Sequence, residues 1–311
     1  MKLIIQIPCY NEEEYLGVTL NDLPKKLEGI DEIEYLVIDD GSTDKTVEVA
    51  KKMGVNYIIR HNNNLGLARA FATGIENCLE LGADIIVNTD ADNQYCAEDI
   101  EKLIKPILNG TADIVIGARP IDKIKHFSTT KKILQRIGSS VVRFFSNTDV
   151  LDATSGFRAI SKEAAYHISI FSNYTYTLET IIQAGRKGLA VTSIPIRVNP
   201  VTRPSKLIKS TFHYVCSSII TIFRIFIIYK PFRFFVILSL IFFTFGLALG
   251  FRYLYFFIMG FGNGHIQSLI LMLILIIIGF LLFIMGLVAD LIAINRTLIE
   301  DIQFKIRKFK K

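Results

Sequence analysis

Short apolar runs alternate with amphipathic segments over the first 200 residues. The runs are rich in β-branched residues, as buried strands are. They predict strands at Leu3–Ile7, Tyr35–Ile38, Asn56–Ile59, Ile85–Asn88, Ile114–Gly117 and Val191–Val198. The segments between them predict helices near Glu13–Leu27, Asp44–Met53, Leu67–Leu81 and Ala97–Leu108. This alternation is typical of a mostly parallel sheet with helices on both faces, so the predicted fold class is α/β.

Polar clusters follow three of these predicted strands, directly after Ile7, Ile38 and Asn88. In a mostly parallel sheet the carboxyl ends of the strands meet at one edge, and ligands bind in the crevice beyond that edge. We therefore expect the three clusters to line one ligand site.

The pattern changes after residue 204. Between residues 205 and 231, apolar positions recur at helical spacing and are interrupted by Lys206, Lys209 and Arg224. This pattern indicates amphipathic helices that lie in a membrane interface, whereas an ordinary core-packing helix is the plainer alternative. The interface is preferred because long apolar stretches follow directly.

Two of these stretches, at about residues 232–259 and 267–294, are each long enough to cross the ~30 Å hydrocarbon layer as a helix. The Gly-rich link Gly260–His265 predicts a tight turn, so the two helices form a hairpin. Arg252 and Asp290 fall near the predicted interfaces, where snorkelling explains a charged side chain.

The positions of the basic residues predict the orientation of the hairpin. Lys230 and Arg233 precede the first span, and a basic tail at residues 296–311 follows the second. By the positive-inside rule, both termini and the domain at residues 1–204 are cytoplasmic, and the turn lies outside. The apolar run before Pro8 is too short for a signal peptide, which agrees with a cytosolic first domain.

Net charge separates the two parts of the chain. Residues 205–311 carry a net charge of +9, although the whole chain carries only +6. A basic membrane-proximal region suits anionic headgroups or a lipid phosphate, and no nucleic-acid recognition motif accompanies it.

The four cysteines form no CxxC pair, so they indicate neither a disulfide framework nor a zinc site.

The segment Asn88–Gln94 carries the strongest chemical signal. Asp90 and Asp92 follow a predicted buried strand and lie two residues apart, where both carboxylates can turn towards one ligand. Two close carboxylates repel each other unless a cation lies between them. Mg²⁺ or Mn²⁺, completed by substrate phosphates, suits such an oxygen site, and Gln94 can add an amide oxygen. A solvated acidic loop is the simpler alternative.

The other two clusters suit a nucleoside. Tyr10 can stack on a base, and Glu12 can read its edge; alternatively, Asn11 caps a helix and the acidic residues complement its dipole. Asp39 and Asp40 are expected to face the crevice, since neither has an evident structural role; alternatively, one of them is simply solvated.

These residues resemble the motif series of family-2 glycosyltransferases with the GT-A fold. The series comprises Pro8–Glu12, Asp39–Ser42, Asp90–Asp92 with Gln94, Gly117–Arg119 and Ser155–Arg158, in the family's order. Within that family the chain is most similar to dolichyl-phosphate mannose synthase and the bacterial enzymes that load undecaprenyl phosphate. The resemblance covers about residues 3–210.

The resemblance implies a role for each matching residue. The residues that bind the nucleotide-sugar would be Pro8, Tyr10, Asn11, Glu12, Asp39, Asp40, Asp90, Ala91, Arg203 and Lys206. The metal ligands would be Asp90, Asp92 and Gln94. The catalytic residues would be Asp92, Arg119 and Lys131, the last two as cations for the acceptor phosphate, and nearby Arg136 could compensate for Lys131 as a further catalytic cation. Lys131 stands where the family has an arginine, so it offers a point charge instead of a bidentate fork.

The implied reaction is an inverting transfer of a hexose or N-acetylhexosamine from a UDP- or GDP-linked donor to dolichyl or undecaprenyl phosphate. A phosphomonoester has a second pKa of about 6, so the acceptor is already an anion at neutral pH and needs no dedicated base. A metal and basic side chains stabilise the charge on the leaving diphosphate.

Alternatives remain open at this point. A processive polysaccharide synthase would share the fold, but the chain has no Trp for the acceptor motif of those enzymes. A P-loop kinase or ATPase is disfavoured because no GxxxxGK[ST] occurs. A membrane-tethered nucleotide-sugar-binding subunit without turnover, or a transferase with another lipid or glycan acceptor, would keep the same motifs. A homo-oligomer is also left open.

Overall fold

The computed structural model describes residues 1–120, 138–140, 142–144, 146, 148–170, 176–200, 220, 224, 227 and 230–309. The described chain forms two compact units. The first comprises Met1–Val215 with Phe304–Lys311, and the second comprises Cys216–Gln303. Almost all of the predicted amphipathic region at residues 205–231 lies outside the described residues.

One seven-stranded sheet organises the first unit. Its strands are β1 (Lys2–Cys9), β2 (Glu32–Asp39), β3 (Tyr57–Arg60), β4 (Ile85–Asn88), β5 (Ile114–Ala118), β6 (Arg158–Ser161) and β7 (Val191–Pro195). Their order across the sheet is β3-β2-β1-β4-β6-β5-β7. All pairs are parallel except those that β6 makes with β4 and β5.

Helices cover both faces of this sheet, as the sequence predicts. They are α1 (Leu16–Asp22), α2 (Thr46–Lys52), α3 (Leu67–Glu80), α4 (Ile100–Leu108, after a 3₁₀ turn at Ala97–Asp99), α5 (Lys162–His167) and α6 (Thr177–Arg186). Buried residues of α1, α2 and α4 form one apolar cluster with the odd-numbered residues of β1. On the opposite face α3 lies close to the even-numbered Gln6 and Ile38, and Phe71 of α3 stacks on Tyr176.

Two elements differ from the predicted bounds for local physical reasons. The first helix was expected at Glu13–Leu27 but begins only at Leu16, because Glu13 is engaged with the loop before α2: its amide donates to Asp44 and its carboxylate accepts from the Lys45 amide. The last strand was expected to run to Val198 but ends at Pro195, and Val198 instead forms an isolated bridge with Tyr95.

The second unit contains most of two long apolar helices, α7 (Pro231–Ile258) and α8 (Ile266–Phe309). Both are long and apolar enough to cross a membrane, as the sequence predicts, and a 3₁₀ turn at Gly262–His265 joins them. Small residues form their contact: the Ser239 hydroxyl donates to the Gly279 carbonyl at 2.7 Å, and a Cβ on Gly279 would lie 3.3 Å from the Phe243 ring. Close approach of this kind is typical of helix pairs in membranes.

The last turn of α8 belongs to the first unit. Phe304 stacks on His167 with ring centroids 4.0 Å apart, and Arg307 pairs with Glu76 at 3.0 Å. Part of the basic tail therefore pairs with acidic side chains of the sheet-containing unit.

Candidate active site

The carboxyl ends of β1, β2 and β4 meet at the centre of the sheet. Strand β1 lies between the other two, with Cys9 opposite Asp39 and Gln6 opposite Asn88. The chain leaves β1 towards β2 and β3 on one side and returns to β4 on the other. A crevice opens at such a switch point, and the three polar clusters follow the three strand ends as expected.

On the β1 side, the loop after Cys9 is tied to the loop after β2. The Asn11 amide donates to Ser42 Oγ at 2.9 Å, and Asn11 Oδ1 accepts from the Thr43 amide at 2.9 Å. The Glu12 amide donates to Thr46 Oγ1 at 2.8 Å. Asn11 has a φ of 53°, which an asparagine tolerates better than most residues. Asn11 therefore connects two loops and does not cap α1, whose N-cap is residue 15.

The residues predicted to bind the nucleoside surround this connection. Pro8 lies in the buried end of β1, and the Glu12 side chain is buried. Tyr10 is 43% exposed, so its ring is accessible to a ligand. A contact of Pro8, Tyr10 or Glu12 with a nucleotide stays a prediction.

Asp39 has a structural role that the sequence did not indicate. One of its carboxylate oxygens accepts from the Ser42 amide at 3.1 Å, and the other lies 3.1 Å from Arg60 Nε. Asp39 is fully buried and thus fixes the turn that follows β2.

Asp40 also has a structural role and holds the loop that leads into α3. Its carboxylate accepts from the amides of Leu65 and Gly66 at 2.9 and 2.8 Å. It also lies 2.7 Å from His61 Nδ1, and the other ring nitrogen of His61 lies 3.0 Å from Thr73 Oγ1. The prediction that neither Asp39 nor Asp40 has a structural role is wrong, because both carboxylates accept hydrogen bonds from backbone amides and pair with basic side chains.

Asp90 and Asp92 lie just beyond β4, at the other side of the crevice. Burial, followed by the neighbouring Asp92 carboxylate, raises the pKa of Asp90 to about 6. Asp92 Oδ1 accepts from the Gln94 amide at 3.2 Å, which closes a tight turn. A cation bound beside Asp90 would stabilise its charged form against both of these effects.

The oxygen donors of Asp90, Asp92 and Gln94 fit a hard divalent cation whose coordination shell also includes oxygens from other molecules. Among the described residues no group of three or more His, Cys, Asp or Glu side chains converges on one point. The Asp90–Asp92 pair would therefore supply only part of a coordination shell. Mg²⁺ sites of this kind are completed by water and substrate phosphates.

Gly156 allows the Asp90 carboxylate to lie where it does. A Cβ at residue 156 would lie 3.0 and 3.2 Å from the two carboxylate oxygens of Asp90 and 2.9 Å from the Tyr176 hydroxyl. The Gly156 amide donates to the hydroxyl of Tyr95 at 3.3 Å. The Tyr95 hydroxyl acts as a hydrogen-bond donor that lowers the pKa of Asp90, against the larger effect of burial.

A buried polar network holds the backbone around Asn88 and Gly156, next to Asp90. Gln6 Nε2 donates to Asn88 Oδ1 at 2.8 Å, and Asn88 Nδ2 donates to the Gly156 carbonyl at 2.8 Å and to the Tyr176 hydroxyl at 3.2 Å. Both amide side chains are fully buried. Such a satisfied network specifies one arrangement of the strand end.

Arg119 forms a two-point ion pair with Asp152. Arg119 Nε lies 2.7 Å from Asp152 Oδ2, and an Arg119 Nη lies 3.1 Å from Oδ1 and 2.9 Å from Thr154 Oγ1. Although burial alone would raise it, the charge and hydrogen bonds of Arg119 hold the pKa of Asp152 below its usual range. The guanidinium is also close enough to Asp90 to lower the pKa of that carboxyl.

Arg158 is a buried support in the wall of the site. Its guanidinium donates to Thr180 Oγ1 at 2.5 Å and to the Ser155 carbonyl, and it lies 5.3 Å from the centre of the Tyr176 ring. Burial lowers the pKa of Arg158, and its charge in turn lowers the pKa of Asp90. The geometry favours a structural role for Arg158, with an electrostatic effect on Asp90.

The arrangement joins a loop pair suited to a nucleoside, a carboxylate pair suited to a cation, and buried arginines nearby. A sequence model described as Glycosyl transferase family 2 matches residues 4–169. The chain belongs to glycosyltransferase family 2. The predicted family and the predicted enzyme class, a glycosyltransferase, are confirmed.

Two curated relatives extend this assignment. A UDP-N-acetylglucosamine–dolichyl-phosphate N-acetylglucosaminyltransferase of Methanococcus voltae is 32% identical over 213 residues, which cover 61% of this glycosyltransferase and 83% of that protein. An undecaprenyl-phosphate mannosyltransferase of Micrococcus luteus is 29% identical over 206 residues, which cover 63% of this chain and 83% of that protein.

A solved structure confirms the predicted GT-A fold. Glucosyl-3-phosphoglycerate synthase from Mycobacterium tuberculosis, in complex with Mn²⁺, uridine diphosphate and phosphoglyceric acid, matches this glycosyltransferase with a TM-score of 0.55. The match covers 71% of this chain and 78% of that chain. At 18% sequence identity the likeness shows the fold alone.

Four of the predicted site residues of this glycosyltransferase, Lys131, Arg136, Arg203 and Lys206, lie outside the described residues, and their roles stay predictions. Two contacts at the site were not predicted from the sequence, namely that of Tyr95 with Asp90 and the pairing of Asp152 with Arg119. A polar residue directly after the Asp90–Gln94 motif was the available signal for Tyr95. Nothing local signals the pairing of Arg119 with Asp152, since 33 residues separate them.

Proposed function

We propose that this family-2 glycosyltransferase transfers a hexose or N-acetylhexosamine from a UDP- or GDP-linked donor to dolichyl or undecaprenyl phosphate at the cytoplasmic face of a membrane. The names of the two relatives support this acceptor class. The two helices that can cross a membrane support a lipid substrate, because a polyprenyl chain stays in the bilayer.

One observation carries the proposal most directly: Asp90 and Asp92 lie two residues apart at the end of β4, where burial and then the Asp92 carboxylate raise the pKa of Asp90. A divalent cation, Mg²⁺ or Mn²⁺, would be held by Asp90, Asp92 and Gln94. When bound, it would neutralise charge on the diphosphate leaving group. The solved M. tuberculosis enzyme with Mn²⁺ and uridine diphosphate supports a divalent cation in this fold.

Different side chains of the protein then bind the nucleoside and the acceptor phosphate. Tyr10 stacks on the base, and the linked loops that contain Asn11, Asp39 and Asp40 shape the nucleoside side of the crevice. Arg119, held in place by Asp152, presents a positive charge close to the cation site and draws in the acceptor phosphate. Preorganised charges of this kind lower the barrier because they need no rearrangement during the reaction.

The remaining basic residues complete the proposal. Lys131 and Arg136 assist Arg119 with the acceptor phosphate, and Arg203 and Lys206 close on the donor diphosphate. The acceptor phosphate, already an anion at neutral pH, attacks the anomeric carbon as the bond to the diphosphate breaks. A single displacement inverts the configuration at that carbon.

The proposed orientation follows the distribution of basic residues. Both termini and the catalytic domain lie on the cytoplasmic side, and the turn between α7 and α8 lies on the other side. Nucleotide-sugars are then supplied from the cytoplasm, while the acceptor arrives from the bilayer.

The test is transfer of label into lipid. Purified protein in detergent is incubated with labelled UDP-N-acetylglucosamine, UDP-glucose or GDP-mannose, with Mn²⁺ or Mg²⁺, and with undecaprenyl or dolichyl phosphate. We expect one donor to label the organic phase, and we expect Asp92→Asn to abolish that label while its thermal unfolding stays unchanged. Nucleotide-sugar binding without organic-phase label from any donor would contradict the proposal and favour a binding subunit.

A further inference from the structure

The loop that carries Asp92 and Gln94 is held from across the sheet by the segment after β7. The Cys96 amide donates to the Arg197 carbonyl at 3.4 Å, and Tyr95 and Val198 form an antiparallel bridge. The segment after β7 thereby runs beside the candidate cation loop, although about a hundred residues separate the two in sequence.

Asn199 makes the densest set of contacts in this pairing. Its side-chain Nδ2 donates to the backbone carbonyl of Asn93 at 2.9 Å and to that of Tyr95 at 3.3 Å. Its backbone amide donates to the Gln94 carbonyl at 2.9 Å. One residue thus binds three consecutive carbonyl groups of the loop, immediately after Asp92.

These contacts fix a tight turn in the loop. Asn93 has a φ of 53°, in the left-handed region that most residues avoid. Such a conformation persists where the surroundings over-determine it. The side-chain amide of Asn199 donates to the carbonyl groups of Asn93 and Tyr95, on either side of Gln94. This side chain is therefore the group best placed to hold the turn at Asn93.

The segment that contains Asn199 is held in place by Arg197, two residues before it. The Arg197 amide donates to Asp99 Oδ2 at 2.6 Å, and its guanidinium lies 2.9 Å from Asp99 Oδ1. Asp99 is fully buried at the start of α4. This ion pair sets the register of residues 197–199 against the loop and leaves Asn199 opposite Asn93 and Tyr95.

We infer that Asn199 is a positioning residue for the cation site: it holds the turn at Asn93 so that the carboxylate of Asp92 and the side chain of Gln94 face one cation. The inference rests on the proposed function, since it concerns the cation that the proposal assigns to Asp90 and Asp92. Partners outside the ligand set typically change metal affinity by 10- to 100-fold when removed, because they orient the ligands.

The experiment compares Asn199→Ala with the wild type in two ways that do not depend on turnover. Electron paramagnetic resonance measures free and bound Mn²⁺ for each protein, first alone and then with uridine diphosphate. Hydrogen exchange measures protection of the loop amides at residues 90–96. We expect Asn199→Ala to weaken Mn²⁺ binding by about 10-fold and to speed exchange of those amides.

A matched control separates positioning from a general loss of stability. Asn77→Ala also removes a half-buried amide that donates to a carbonyl, that of Thr73 at 2.7 Å, but it lies within α3, far from the loop in sequence. We expect Mn²⁺ affinity and loop exchange to stay at wild-type values in Asn77→Ala. Asn199→Leu is a second variant that keeps nearly the size of the side chain and removes its donors without adding a charge, and it should behave as Asn199→Ala does.

The outcomes distinguish this inference from the proposed function. Unchanged exchange of residues 90–96 in both Asn199 variants, or Mn²⁺ affinity equal to that of the wild type, would overturn the role of Asn199. Failure of the wild type to bind Mn²⁺ with or without uridine diphosphate, together with faster loop exchange in the variants, would instead contradict the cation site and leave Asn199 as the residue that fixes the loop.

Discussion

Asp152→Asn tests the ion pair that holds Arg119, and we expect it to lower the free energy of unfolding by about 3 kcal/mol. The Asp152 side chain is 1% exposed and that of Arg119 is 10% exposed, so water cannot compensate the charge left on Arg119. Breaking a buried pair by removing one partner costs about 3–5 kcal/mol. The lower end applies because an asparagine oxygen still accepts one of the two bonds from Arg119.

The assay is urea unfolding in detergent, followed by the near-ultraviolet circular dichroism of the 12 tyrosines, since the chain has no tryptophan. Glu98→Gln is the matched control. It removes one charge from an exposed pair with Arg197, where Glu98 is 78% exposed, and pairs of that kind contribute little. Adding Arg119→Gln to Asp152→Asn should recover part of the lost stability, because no unpaired charge then remains.

The same variant predicts how stability depends on pH. The pKa of Asp152 is lower in the folded protein than in the unfolded chain, where it is about 3.9. The stabilisation is therefore fully present above that unfolded value and is lost as the pH falls through the folded pKa. The difference between wild type and Asp152→Asn should be constant near neutral pH and shrink below about pH 4. A difference below about 1 kcal/mol at pH 7 would refute the claim that Asp152 holds Arg119.

Three further predictions follow from the site. Gly74→Ala should lower the free energy of unfolding by about 1–3 kcal/mol in the same urea assay, because its Cβ would collide with the fixed amide of Gln6; wild-type stability would contradict this packing. Asp40→Asn should raise the KM for the donor more than it lowers kcat, because it releases the Leu65 and Gly66 amides; an unchanged donor KM would refute a nucleoside role for this loop. Removal of divalent cations by EDTA should abolish transfer, and Mn²⁺ should restore it; full activity in EDTA would contradict the cation site.

Much of the sheet could be predicted because the signal for a buried strand is local. Ile85–Asn88 has the bounds that its apolar run predicts, and the strands Tyr57–Arg60 and Ile114–Ala118 differ from prediction by a residue or so. Strand Arg158–Ser161 was missed because it carries Arg and Ser and pairs antiparallel between two other strands. Its place in the sheet depends on distant partners.

The candidate site divides in the same way. The position of Asp90 and Asp92 at a strand end follows from the local sequence, and so does the meeting of three polar clusters. The structural role of Asp40 could not be predicted, because the first of its hydrogen-bond partners, His61, lies 21 residues later in the sequence. The contacts of Asn199 with the loop after Asp92 are likewise long-range. Residues of this kind become visible only when the sheet brings distant segments together.

The cation site can be tested most directly by crystals of this protein grown with Mn²⁺ and a uridine or guanosine diphosphate, with diffraction measured at the manganese absorption edge. We expect an anomalous peak within about 2.5 Å of oxygens from Asp90, Asp92 and the diphosphate. A bound nucleotide whose Mn²⁺ peak lies elsewhere, with neither aspartate in contact with it, would contradict the cation site on which the proposed transfer depends.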